Sequence, residues 1–322
     1  MESEQKKFEA ACERGDVDVV RLLLLDSRVN PTNDDNKAIR VACLFGHVDI
    51  VSLLLADSRV NPADNDNAVI RWACDRGHVD VVRLLLADPR MNPAVSDNRV
   101  IRLACLFGQI DVVQLLLADR RVNPTGAIRA ACMNGHLDII RLLLADSRVN
   151  PADEHNDAIR AACQYGHIDT VRLLLTDPRV NPADNNNIAI MLACENGHFD
   201  VVQLLLADDR VNPAGYKNEA IREACATGRI DVVRLLLADP RVNPAGYKNE
   251  AIIYACKRGH ADVARLLLAD DRVDPADHDN EAIRKSCARG HIDVVRLLLA
   301  DRRVDPTTRH NLAIRAACYH DH

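Results

Sequence analysis

The chain has 322 residues, 48% hydrophobic but only 3% aromatic, and 41 Lys and Arg against 47 Asp and Glu give a formal net charge of −6. Any core must therefore be aliphatic, and a mildly acidic surface without long like-charge runs argues against nucleic acid or an anionic membrane as partner. Eleven cysteines, a start (MESEQKKFEA) without a signal-like apolar core, and no apolar run near the roughly 18 residues of a membrane span read as reduced thiols in a cytoplasmic protein.

MESEQKKFEAAC predicts a first helix that is polar on its outer side, so residues 1–36 read as an N-terminal capping repeat. From there the chain repeats itself. Cysteines fall at 12, 43, 74, 105, 132, 163, 194, 225, 256, 287 and 318, always 31 residues apart except for 27 between Cys105 and Cys132. Residues 37–311 divide into nine repeats, with 99–125 shortened by four residues, and 312–322 is a partial C-terminal repeat. The whole of 1–322 is expected to be a single repeat domain.

IRWACDRGHVDVVRLLLADPR (70–90) shows the unit. Ile70, Ala73 and Cys74 sit at i, i+3 and i+4, the apolar stripe of a short helix. Gly77 ends it in a left-handed conformation. Asp80 falls in the first turn of a second helix, where the dipole favours a carboxylate. Val81, Val82, Leu84, Leu85 and Leu86 cover more than half of that helix, as the inner layer of a stack requires. Pro89 and Pro93 stop it. Asn98, which recurs at 36, 67, 156, 187, 218, 249, 280 and 311, suits a left-handed turn or the cap of the next helix, and the cap is expected. One such unit cannot bury enough surface to fold alone, so the units must stack.

GHVDVVRLLLADPRMNPA resembles the second helix and loop of an ankyrin repeat, whose usual form is Gly-His-x-x-Val-Val-x-Leu-Leu-Leu followed by a Val-Asn-Ala loop. The resemblance covers almost the whole chain. It departs in two places: AIR replaces the family's Thr-Pro-Leu-His with one residue fewer, and the loop after the leucines is one residue shorter. The resemblance implies an all-α, ankyrin-type solenoid of stacked helix-turn-helix repeats with short loop fingers.

Cys74 and His78 are one helical turn apart, the spacing of a metal half-site or an activated nucleophile. The pairing does not hold: Asp16, Gln109 and Arg229 take the histidine position while their cysteines remain. The resemblance places the cysteine at a small buried alanine site, where a thiol is a compact hydrophobe. No catalytic residue, metal ligand or cofactor is assigned. The histidines at 47, 78, 136, 167, 198, 260 and 291 are expected to bond loop backbone at the start of the second helix. The arginines at 40, 71, 102, 129, 160, 222, 284 and 315 are expected to be solvated or carboxylate-paired.

Variation carries the functional information. The pair after each cysteine changes freely, and by resemblance it lines the concave groove that holds partners, together with the loop tips. Large or aromatic groups concentrate there: Phe45, Arg76, Phe107, Met133 and Tyr165, with Trp72 and Tyr254 two residues before a cysteine. Tyr216 and Tyr247 lie in the identical stretches NPAGYKNEAI (212–221 and 243–252). These nine are the candidate partner-binding residues, as anchors of the hot-spot kind. The alternative, that Phe45, Phe107 and Trp72 pack between neighbouring repeats, stays open. The junction RVNPTGAIRA should lack a finger beside Phe107 and Met133. The function implied is a non-catalytic protein–protein interaction scaffold, monomeric, with a protein partner and neither nucleic acid nor membrane. It works in the cytoplasm, or in a host cytosol if the chain comes from a parasite or virus. A structural spacer, or the substrate-recruiting adaptor of a larger assembly, is the alternative.

Overall fold

In a computed structural model of the chain, residues 4–308, 311–313 and 315 are described. Most of the half-repeat at 312–322, Cys318 included, lies outside them. Among the described residues the structure is twenty α-helices and no strand. They fall into two compact units, residues 1–150 and 151–322.

Within residues 1–150, the first helices of successive repeats pack side by side in chain order: Glu4–Arg14, Asn33–Phe45, Asp64–Arg76, Val95–Leu106 and Ala127–Asn134. Their second helices, Val17–Leu23, Val48–Ala56, Val79–Ala87, Ile110–Ala118 and Leu137–Ala145, make the adjoining layer. Residues 151–322 repeat the arrangement. Their first helices are Asp153–Tyr165, Asp184–Asn196, Gly215–Ala226, Gly246–Arg258 and Asp277–Cys287. Their second helices are Ile168–Leu175, Phe199–Leu206, Ile230–Ala238, Ala261–Leu268 and Ile292–Leu299. The all-helical, stacked architecture is the one the periodicity implies.

The aliphatic stripes form the core. Ile70, Ala73, Cys74, Val81, Val82 and Leu85 are fully buried, while Leu84 and Leu86 are half-buried. Phe8, Ala11 and Cys12 anchor the polar first helix, but Val19, Leu22 and Leu25 of the next segment stay exposed.

The recurring asparagine is not a helix cap. Asn36, Asn98, Asn156, Asn218 and Asn280 all have φ between 53° and 60°, in the left-handed region. In most repeats the two residues before it share that conformation, as in Asp34, Asp35 and Asn36 at φ 52°, 54° and 59°. Two bonds explain the choice. Asn156 Oδ1 accepts from the Asn181 N–H at 2.7 Å, and its Nδ2 donates to Asp184 Oδ2 at 2.8 Å. Asn249 does the same with Asp274 N–H and Asp277. The side chain thus stitches one loop to the next, and asparagine is the side chain that best tolerates the backbone this needs. At the short junction, Gly126 alone takes the left-handed position, at φ 75°, and leads directly into an eight-residue helix, Ala127–Asn134.

A second stitch uses Asp-x-Arg after each leucine run. Arg121 pairs with Asp119 at 2.6 Å and also donates to the carbonyls of Met91 and Leu86, in the repeat before, at 3.0 and 2.8 Å. Arg241 does likewise with Asp239, Val211 and Leu206. The leucine carbonyls are the unsatisfied C-terminal acceptors of the preceding second helix, so a cation is favoured there on two counts. The motif occurs in all ten full repeats, and the reading by apolar period passed over it.

Candidate functional site

The position that pairs with each cysteine turns out to be a strut. His78 Nε2 lies 3.0 Å from the Leu44 carbonyl, in the last turn of the preceding repeat's first helix, and His260 and His291 reach Ala226 and Lys257 in the same way. The partner is therefore that helix end, not the loop expected from sequence. A carbonyl can only accept, so the ring must donate from Nε2. The ring also fills the space beside the preceding repeat's glycine: a Cβ on Gly46, whose φ is 76°, would meet His78 Nδ1 at 2.6 Å. Where histidine is replaced the strut persists, from Gln109 Nε2 to the Asp75 carbonyl at 3.3 Å and from Arg229 Nε to the Glu195 carbonyl at 3.2 Å. Three unlike donors serving one acceptor have a structural task in common.

The described cysteines beside them are free, buried thiols. Cys12, Cys105 and Cys256 are pushed up to about 12 by burial, and burial also raises Cys43, Cys74, Cys194 and Cys225. Burial of this kind favours the protonated thiol over the thiolate that nucleophilic or metal chemistry uses. Among the described residues no three His, Cys, Asp or Glu side chains converge on a metal position.

Two of the scaffold arginines expected to be solvated or carboxylate-paired instead brace backbone of their own turns. Arg40 donates to the Asp34 carbonyl at 3.0 Å, and Arg284 to the His278 and Asp279 carbonyls at 2.9 and 3.0 Å. Each closes the left-handed turn that precedes its helix.

Several of the variable side chains are open to solvent. In residues 1–150, Phe45 is 48% exposed at the end of the first helix of its repeat, and Phe107 is 49% exposed just after the end of its own. Arg76 is exposed at the same register of the intervening repeat, and Met133 is half-buried. Val41, Leu44, Leu103 and Leu106 lie half-buried on the same helices, so this end of the first-helix layer is apolar. Trp72 is half-buried with the Arg40 guanidinium of the preceding repeat 5.6 Å from its ring centroid. That contact packs Trp72 between repeats, whereas Phe45 and Phe107 stand half in solvent.

In residues 151–322, Tyr165 is half exposed at the Phe45 register, and Tyr216 and Tyr247 are exposed at the loop tips. Tyr254 is half-buried. Lys217 sits 4.0 Å from the Tyr247 ring centroid, and Arg222 lies 5.1 Å from Tyr247 and 5.7 Å from Tyr254. The aromatic positions were legible from sequence, and the cations Lys217 and Arg222 that reach Tyr247 and Tyr254 from the neighbouring repeat were not.

A family model described as ankyrin repeats (3 copies) matches residues 8–97, 101–186, 176–245 and 238–310. Among solved structures, the human ASB11 ankyrin repeat domain aligns at 19% identity with a TM-score of 0.47, over 56% of this chain and 95% of that one. No curated protein matches the sequence.

Proposed function

The chain belongs to the ankyrin-repeat family, and on that basis we propose that it is a non-catalytic scaffold whose protein partner seats on the first-helix face and the loop tips. Repeats of this family are generally protein-interaction modules. The observation that carries the reading is the half exposure of Phe45 and Phe107 at one register of a layer in which Phe8 is fully buried and Trp72 half-buried. Large apolar groups kept in water stabilise a complex more than the free chain. Trp72, Met133 and the neighbouring leucines extend that surface, with Arg76 at its polar edge. Tyr165, Tyr216, Tyr247 and Tyr254 are the corresponding anchors of residues 151–322.

The surface is built before the partner arrives, since its helices are held by the Asp-x-Arg and asparagine stitches, so binding orders little chain. The ten described cysteines are free and buried. No described helix is long and apolar enough to cross a membrane. The chain acts as a monomeric array, capped by 1–36, in a reducing cytoplasm.

The test is affinity capture from cell extract with quantitative mass spectrometry, comparing the wild-type chain with a Phe45→Ala/Phe107→Ala variant of matched helicity. A partner retained by the first and depleted at least about tenfold by the second is expected for two hot-spot anchors. Identical captures from the two proteins would leave the spacer reading in its place.

A further inference from the structure

Residues 215–258 contain an alternating series of rings and cations. Lys217 lies 5.9 Å from the Tyr216 centroid and 4.0 Å from that of Tyr247. Arg222 follows, 5.1 Å from Tyr247 and 5.7 Å from Tyr254, and Lys257 closes the series 5.9 Å from Tyr254. The series runs from the tip of one finger, through the next, to the end of the first helix Gly246–Arg258. It exists because NPAGYKNEAI is present twice, so that the lysine of one copy meets the tyrosine of the other.

The charges along it are unevenly satisfied. Arg222 is 9% exposed and has Glu250 Oε2 at 2.8 Å from its Nε. Neither Lys217 nor Lys257 has an ion-pair partner among the described residues, and each rests on a ring face instead. A ring attracts the cation but accepts no proper hydrogen bond from it, so the ammonium donors remain open for an acceptor. Two open ammonium groups, one beside the exposed Tyr216 and Tyr247 and one beside the half-buried Tyr254, separated by a neutralised Arg–Glu pair, are complementary to carboxylates on a chain that also carries apolar side chains.

We propose that this series docks an acidic peptide segment of the partner, with carboxylates on Lys217 and Lys257 and side chains against Tyr216 and Tyr247. The proposal rests on the partner-binding reading above. A peptide fits better than a nucleic acid. Glu219, Glu223 and Glu250 surround Arg222, and the chain carries a net −6. Closely spaced phosphates would meet those carboxylates, whereas a peptide can place its charges only where the lysines are.

Fluorescence anisotropy with the full chain and a labelled octaglutamate peptide tests this in low salt. The wild type should bind octaglutamate and not octaglutamine. Lys217→Gln and Lys257→Gln should each weaken binding about three- to fivefold, as expected for one partly exposed charge pair. Tyr247→Leu keeps the bulk and removes the ring, and should weaken it similarly with an unchanged melting curve. Phe45→Ala/Phe107→Ala should leave octaglutamate binding intact, which separates failure here from failure of the partner-capture experiment. Absent binding, equal binding by the lysine variants, or tighter binding of a twelve-nucleotide oligouridylate would overturn the proposal.

Discussion

The Arg90 guanidinium donates to the Val60 carbonyl at 2.7 Å, thirty residues back, while the same side chain holds Asp88 at 2.6 Å. It also reaches the Leu55 carbonyl at 2.9 Å. One planar fork therefore joins its own loop, the preceding loop and the end of the preceding second helix. A lysine presents a point charge and cannot span three acceptors at once. Arg90→Lys should cost nearly as much as Arg90→Ala, about 1–2 kcal/mol for the charged hydrogen bonds lost. A urea titration reads this as a lower midpoint for both, and a lysine variant as stable as wild type would contradict it.

The partners of these arginines predict the response to acid. Side-chain hydrogen bonds from arginine hold Asp57, Asp88, Asp119 and Asp239 below the usual carboxylate range, and Asp26 is lowered to about 2. A carboxylate depressed in the folded state contributes stability above its unfolded pKa of about 3.9, and that contribution disappears as pH falls through the folded value. Melting temperature should be flat from pH 7 to about 5 and fall between about 4 and 2. Asp88→Asn should lower it at pH 7 and flatten the acid limb, as followed by circular dichroism.

Fold and surface were legible to different depths. Ile70, Cys74 and Leu85 declare their layers through spacing alone, because burial in a stack demands the same apolar type in every repeat. Phe45 and Phe107 were found by the opposite signal, variation against a fixed background. What escaped were contacts between repeats. Arg90 gave no apolar period, and His78 looked like half of a chemical pair because its true acceptor, a backbone carbonyl, has no letter in the sequence. Asn98 satisfied two local rules, cap and left-handed turn. Only the loop it binds, which carries Asn123, decides between them.

The strut predicts an unequal tolerance at one position. Gln109 already performs the histidine's task, so His78→Gln should change stability by less than about 0.5 kcal/mol, while His78→Ala should lose about 1 kcal/mol with its bond to Leu44. Gly46→Ala should be worse, since an L-residue at φ 76° costs about 1–2 kcal/mol and its Cβ would also strike the His78 ring. In the double variant Gly46→Ala/His78→Ala the clash goes and the backbone cost stays. Urea midpoints of the four proteins form a cycle whose coupling term should be favourable.

Asn156 offers the sharpest separation of backbone from side chain. It is 5% exposed, has φ 58°, and gives one bond to each side of the neighbouring loop. Asn156→Gly keeps the conformation and loses both bonds, at a cost of about 1–3 kcal/mol. Asn156→Asp keeps the acceptor for the Asn181 N–H but sets a second carboxylate against Asp184, whose own pKa is now lowered first by the Asn156 amide. Two adjacent carboxylates cannot both stay ionised, so the folded pKa of the pair must rise. A group raised on folding is penalised above its folded pKa and relieved as pH falls through it. The aspartate variant should therefore be less stable than the glycine variant at pH 7 and gain on it by pH 5, where the wild type is still flat. Urea midpoints at the two pH values measure the crossing, and parallel losses would show that Asp184 does not face this side chain in solution.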